Sequence, residues 1–402
     1  MFEPLRHTMF RRLALGRLTT YLGNAIAPIA LAFAVLDLTG SVIALGIVVG
    51  ARSLANVLLL LMGGVLADRL PRGVILQGAS LAAAVSQALT AAAVLLGFAS
   101  VPLLIVLSVI NGAVSAVSLP AASALTPQTV PADLLRQANA TVRMGINTAM
   151  IAGASAGGMV AALAGPGWAI AGTAVIFLIA SICYARVDAP EIDEDAPTRP
   201  LADIVSGWRE FTARSWVWSV VAALMVINAA VVGGVFVLGP SIADATIGRL
   251  AWGFVLGAQT VGSLVGGIVA SRWQPSRALL FGTALIGVQA VPLLVLAHAP
   301  LVIPLLAVMF VGGMAIEQFG IAWDVSLQEN VPPDRLARVY SYDAVGSFVA
   351  IPVGEIAVGP LSKTFGVTAT LTGASAAVAV AVIAAICAPS VRSLRRTAIA
   401  VA

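Results

Sequence analysis

The chain has 402 residues, of which 60% are hydrophobic and 10% charged, and its mean hydropathy is +1.01. Soluble domains carry about 25% charged residues, so this composition excludes a water-solvated fold and fits a chain whose solvent is lipid. The formal charge of +4 raises nucleic acid as a partner, but the placement of the basic residues, described below, excludes it.

The first apolar run opens near Leu13, behind Arg6, Arg11 and Arg12, with no small-residue cleavage site after it. It is therefore expected to be a membrane span and not a signal peptide. At roughly 20 residues per span, helices are predicted at 13–36, 41–67, 74–97, 101–125, 138–163 and 167–185. A second set is predicted at 216–240, 249–271, 278–297, 301–324, 339–361 and 366–388.

Several of these predicted helices carry polar groups. Helix 1 clusters Thr20, Tyr21 and Asn24, helix 4 carries Asn111 and Ser115, and helix 7 carries Asn228. Ionisable side chains fall within spans at Arg52 on helix 2, Glu317 on helix 10 and Glu355 on helix 11, while Asp37 and Asp343 lie nearer helix ends. A charge at that depth costs about 2.5–3.5 kcal/mol on insertion scales, so each is expected to have a partner or a function. Cys183 and Cys387 sit in apolar runs and read as small core residues, with no partners for a disulfide or a metal.

The long polar stretch 186–215 is acidic and proline-containing at first, then amphipathic from about Pro200 to Arg214. It reads as a linker ending in a surface helix. The expected organisation is an all-α membrane protein of twelve transmembrane helices in two six-helix bundles. The bundles are 1–185 and 216–388, joined by the linker 186–215 and followed by a tail, 389–402. With both termini cytoplasmic, only Arg249, Lys363 and the in-span Arg52 fall outside the inner-side segments, among 22 basic residues. That asymmetry is the positive-inside pattern, and it accounts for the positive charge.

The two halves also repeat. Gly63-Gly64-Val65-Leu66-Ala67-Asp68-Arg69 closes helix 2, and Gly266-Gly267-Ile268-Val269-Ala270-Ser271-Arg272 closes helix 8, 203 positions later. Val130-Pro131-Ala132-Asp133-Leu134 precedes helix 5, and Val331-Pro332-Pro333-Asp334-Arg335 precedes helix 11, 201 positions later. Matches at nearly one offset imply parallel repeats related by an axis along the membrane normal.

The stretch Gly64-Val65-Leu66-Ala67-Asp68-Arg69-Leu70-Pro71-Arg72 resembles the signature loop of the major facilitator superfamily. Trp323, Asp324, Gln328, Val331-Pro332, Arg338, Tyr342-Asp343, Gly346-Ser347-Phe348 and Pro360 are similar to a narrower branch of enterobactin-exporter-like and macrolide-efflux-like transporters. The resemblance covers nearly the whole chain. It implies that Asp68 faces the N-terminus of helix 11, where the helix dipole favours an anion. Arg69 and Arg72 would then latch the inner face. Gly153-Ala154-Ser155-Ala156-Gly157-Gly158 is similar to a glycine-rich element of family antiporters, with Ala154 where that element carries proline. Its small residues are expected to pack against Gly262, Gly266 and Gly267 of helix 8. Asn111-Gly112 stands where many family members carry a basic residue.

In the family fold helices 2 and 11 are neighbours. Arg52 lies roughly 24 Å above Asp68, and Glu355 roughly 25 Å above Arg338, by helix rise. The two are expected to pair as an outer latch, with Asp37 the competing partner for Arg52. Helix 10 lines the central cavity in this fold, so Glu317, roughly 10 Å in from Asp324 by helix rise, is a proton-coupling candidate together with Glu355 and Asp343. A hydrogen-bonded structural carboxyl is the alternative for Glu317. Thr20, Tyr21, Asn24, Asn111, Ser115, Asn228 and Phe319 are the substrate-binding candidates, in a cavity otherwise walled by apolar residues such as Met225 and Phe236.

The expected function is proton-driven export of small amphiphilic molecules by alternating access, in the cell membrane. Import of a small organic solute, or a non-transporting sensor, are the alternatives. The expected partners are a small-molecule substrate, the proton and the lipid bilayer, with the chain a monomer. No cofactor, no metal and no enzymatic machinery are expected, and no nucleotide-binding loop is visible, so ATP is not implied.

Overall fold

Among the described residues, twelve helices are long and apolar enough to cross a membrane, the number that the apolar runs predict. A computed structural model of the chain describes residues 3–67, 71–131, 134–185, 187, 208–273 and 275–394. In the first half, α1 spans Thr8–Thr39, α2 Val42–Leu59, α3 Arg72–Leu95, α4 Val101–Ser118, α5 Gln137–Leu163 and α6 Pro166–Tyr184. In the second, α7 spans Ser215–Ala245, α8 Arg249–Ala270, α9 Ala278–His298, α10 Val302–Asn330, α11 Val339–Phe365 and α12 Val367–Cys387. No strand occurs among the described residues. Large apolar side chains such as Leu58, Leu163, Ile182 and Val380 stay exposed along the spans, as lipid solvation allows.

The helix edges depart from the predicted ones where polarity was the guide. α1 begins at Thr8, so Arg11 and Arg12 are helical and Arg17 lies nine residues inside the helix. Intrahelical hydrogen bonding continues past the apolar stretch, because nothing in the sequence breaks the backbone there. α10 likewise runs past Asp324 to Asn330 and stops only where Pro332 disfavours helical geometry at Val331. α7 contains a π-helical stretch, Val232–Leu238, just before Pro240. Proline removes one backbone donor, and a π turn is one way to absorb the lost bond. The expected linker helix is described at residues 208–212; its earlier part lies outside the described residues.

The chain divides into two compact units, Met1–Asp195 with Pro240–Gly257, and Ala196–Gly239 with Ala258–Ala402. In the first, α1 packs on α5 and α6, α2 on α4, and α3 on α4 and α6. In the second, α9 packs on α10 and α12, and α7 on α11 and α12. The repeat seen in the sequence has counterparts in the backbone. Gly165 and Gly366, 201 positions apart, turn the chain into α6 and α12 at φ 91° and 86°, a region glycine adopts without steric cost. A Cβ on Gly112 would collide with the Arg52 carbonyl oxygen, and one on Gly313, again 201 positions on, with the Gln259 carbonyl oxygen. Each unit therefore has at least one helix crossing close enough to require glycine.

The helix-5 element meets α8 as expected, but through Gly253 and not through Gly262, Gly266 or Gly267, and two of its glycines face α1. Gly153 and Gly157 lie against Ala25 and Ile26 of α1, and Gly158 meets Gly253 in the part of α8 that groups with the first unit. Gly262 and Gly266 lie instead against Phe310 and Met314 of α10. Residues 153 and 157 share one helical face, whereas 158 is turned about 100° from 157. Cys387 is exposed at the end of α12 and is not a core residue.

Candidate functional site

Arg17, Thr20, Tyr21 and Asn24 follow i, i+3, i+4, i+7 spacing on α1, which puts them on one face. That face borders a cavity of about 240 Å³ inside the first unit. α2 contributes Arg52 and Asn56, α4 contributes Asn111, Ser115 and Ser118, and α6 contributes Phe177 and Tyr184. Small residues on α1 make the room: a Cβ on Gly16 or Gly23 would run into the ring of Tyr184 or Phe177. The Thr20 and Tyr184 hydroxyls are 3.3 Å apart.

The close α2–α4 crossing at Gly112 brings the two helices' polar groups into register. Arg52 Nε donates to Asn111 Oδ1 at 2.9 Å. Asn56 Nδ2 donates to the Gly112 carbonyl at 3.2 Å, and Ser115 Oγ donates to the Asn111 carbonyl at 2.9 Å. Arg17 Nη1 donates to Thr126 Oγ1 at 3.2 Å, while its Nε is buried with no hydrogen-bond acceptor among the described residues. Among the described residues, no aspartate or glutamate lines the cavity.

Five of the seven substrate-binding candidates, Thr20, Tyr21, Asn24, Asn111 and Ser115, thus border one cavity, and Arg52 joins them. The other two are elsewhere. Asn228 Nδ2 donates to the Ser347 carbonyl at 2.8 Å, tying α7 to α11. Phe319 is buried and stacks on Trp323, ring centres 6.1 Å apart. Arg17, Asn56 and Tyr184 were not among the sequence candidates. Arg17 was grouped with the inner-side basic residues, although the polar stripe it starts was already present in the sequence.

In the second unit the branch-motif residues assemble around two carboxylates. Asp343 accepts from Trp323 Nε1 at 2.9 Å and from Ser347 Oγ at 3.1 Å. Tyr340 OH donates to Asp324 Oδ1 at 3.1 Å. Glu317 lies against Gly266 and Gly267 of α8, and its neighbour Gln318 donates to the Gly266 carbonyl at 2.9 Å. Glu355 is buried in α11. A mainly apolar cavity of about 690 Å³ is lined by Met225 and Ala229 of α7, Gly354, Leu361 and Phe365 of α11, and Ala374 of α12.

Of the latch candidates, Arg72 opens α3, half-buried, and Asp68 and Arg69 lie outside the described residues. A charge cluster that the sequence reading did not foresee sits in the first unit. Arg249 Nη1 and Nη2 donate to Asp37 at 2.9 and 2.5 Å, and Nε and Nη2 donate to Asp244 at 2.7 and 3.0 Å. The guanidinium also lies 4.8 Å over the Phe33 ring. Asp37 is therefore Arg249's partner. Its assignment as a competitor for Arg52 is corrected, because the turn at Gly248 carries Arg249 to the end of α1.

The sequence profile of the Major Facilitator Superfamily matches residues 13–355. The chain is 26% identical to the multidrug efflux pump Tap of Mycolicibacterium fortuitum, over 97% of each protein. Among solved structures, the nucleoside transporter NupG superposes with a TM-score of 0.73 at 14% identity, over 94% of this chain and 98% of that one. A D-xylose–proton symporter superposes with a TM-score of 0.68 at 14% identity, over 94% and 96%. These two likenesses are of fold alone.

Proposed function

This chain belongs to the major facilitator superfamily, and from that premise we propose that it is a proton-driven exporter of small amphiphilic molecules, working by alternating access. As a member of that family it is a multi-pass membrane transport protein and not an enzyme. The observation that carries the exporter reading is the cavity of the first unit, which gathers polar groups from α1, α2 and α4 among apolar helices. Its full-length similarity to a protein named as a multidrug efflux pump supports the direction. The protein acts in the cell membrane as a monomer, with both termini cytoplasmic; the distribution of basic residues supports that orientation.

Glu317, Glu355 and Asp343 are the proton-coupling carboxylates in this reading, and Asp68, Arg69, Arg72 and Arg52 the latch. Membrane-embedded carboxyls are the groups most often used for proton exchange between facing states. Asn228 then supports the substrate path indirectly, by fixing α7 on α11, and Phe319 by stacking on Trp323 within α10.

Everted vesicles with an acidic lumen test the direction. An exporter accumulates an amphiphile there and releases lumenal protons as it does so, and Glu317→Gln abolishes that release while the protein still inserts. Coupled uptake in right-side-out vesicles only would establish the importer.

A further inference from the structure

We propose that Asp37, Arg249 and Asp244 form a releasable clasp between the two sequence repeats, in which Asp37 is the partner that lets go and Asp244 the partner that stays. The inference rests on the alternating-access reading, because only a carrier that opens on this side has to part these groups. Asp37 lies near the end of α1 in the first repeat, while Asp244 and Arg249 flank the α7–α8 turn of the second. The segment Pro240–Gly257 nonetheless groups with the first unit. A segment of one repeat is thus fastened to the other, and the fastening has to break whenever the repeats separate there.

Two contacts make the fastening. Arg249 is forked twice: Nη1 and Nη2 close end-on over both oxygens of Asp37, and Nε and Nη2 close side-on over both oxygens of Asp244. Bidentate pairs of this kind add geometric specificity to their charge. One turn further along α8 the contact is steric, with Gly253 against Gly158 of α5, backbone to backbone. Glycines carry no side chain to interlock, so that contact parts cleanly.

The two carboxylates are not equivalent. Asp244 precedes Arg249 by five residues, across the turn at Gly248, and therefore travels with the guanidinium. Asp37 belongs to another helix. When α1 and the turn separate, Asp244 still neutralises Arg249, and water takes over the oxygens of Asp37, which is already 43% exposed. With Asp37 as its only partner, Arg249 would be left bare on release, in a side chain 18% exposed. An uncompensated, partly buried charge is what makes an ion pair costly to break. The second aspartate therefore lowers the cost of opening and leaves the closed contact bidentate.

The test places spin labels at Ser100→Cys and Thr246→Cys, both exposed positions, with Cys183→Ser and Cys387→Ser removing the native thiols. Double electron–electron resonance on the full chain in lipid nanodiscs then reads the separation of the first repeat from the α7–α8 turn, with no transport required. Asp37→Asn should raise the long-distance share about two- to fivefold, the factor that a partly exposed ion pair controls. Asp244→Asn should hold that share at or below the level of the unaltered protein. A rise in both variants, which loss of a merely structural cluster would give, overturns the proposal, and so does no rise in Asp37→Asn. Salt at about 1 M, where the Debye length is about 3 Å, should raise the share in the unaltered protein, a reading that needs no variant to fold. The contrast between the two variants without accumulation of any amphiphile in everted vesicles would sink the exporter reading and leave the clasp standing. Accumulation with a share that Asp37→Asn does not move would do the reverse.

Discussion

Arg249 of the first unit has two carboxylates and an aromatic ring around one guanidinium. The carboxylates are partly exposed, at 43% and 38%, so water screens the pair and its worth stays near that of a well-formed surface bridge, roughly 1 kcal/mol. Arg249→Gln is expected to lower the melting temperature of the purified protein by a few degrees, and about 1 M salt should shrink the difference. Arg249→Lys should recover little, since an ammonium cannot fork between two carboxylates. At Gly112 the physics is steric. Gly112→Ala drives a methyl into the Arg52 carbonyl and should cost about 1–3 kcal/mol as the helices part, read as a loss of thermal stability. Arg52 also bears on the family resemblance. Many members carry a basic residue where this chain has Asn111, and here the guanidinium reaches Asn111 from α2.

Among the elements, the short helix at 208–212 shows how the linker is held. Trp208 and Phe211 pack with Tyr342, ring centres 5.7 and 5.9 Å apart, and Glu210 bridges Arg214 and Arg335. The hydrogen bond from Arg214, then the charge of Arg335, holds the Glu210 carboxyl below its usual value of 4.5. A depressed carboxyl contributes stability above its unfolded pKa and loses it as pH falls through the folded one. Docking of this helix should therefore persist at neutral pH and weaken below about pH 4.5. Quenching of Trp208 fluorescence by acrylamide would report the release, and Glu210→Gln should remove its pH dependence. The amphipathic pattern marked this helix in the sequence. Its partners were not legible, because Tyr342 and Arg335 are more than a hundred residues away along the chain.

At the scale of the whole molecule, two repeats of six helices place like crossings and like turns about 201 residues apart, at Gly112 and Gly313 and at Gly165 and Gly366. In the proposed orientation, which the distribution of basic residues supports, a reporter fused in the linker near residue 200 should be active on the cytoplasmic side. One inserted at residues 97–100 should be active only on the opposite side. The reverse pattern would invert every inner and outer assignment, including the direction in which the vesicles must be prepared.

The sequence by itself determined the solvent, the number of spans, the repeat and the family, because these depend on local hydropathy and on short motifs read in line. It also named most of the cavity's polar residues, since a polar group in an apolar helix stands out without knowledge of its neighbours. Only the tertiary structure decided what those groups meet. Asp37 pairs with Arg249, Gly153 and Gly157 of helix 5 face α1 while Gly158 faces Gly253 of α8, and Arg17 borders a cavity together with Thr20, Tyr21 and Asn24. The physical reason is one of range. Hydropathy acts along one helix, whereas a guanidinium finds its partner through helix crossings set by glycine contacts and turns far apart in the chain.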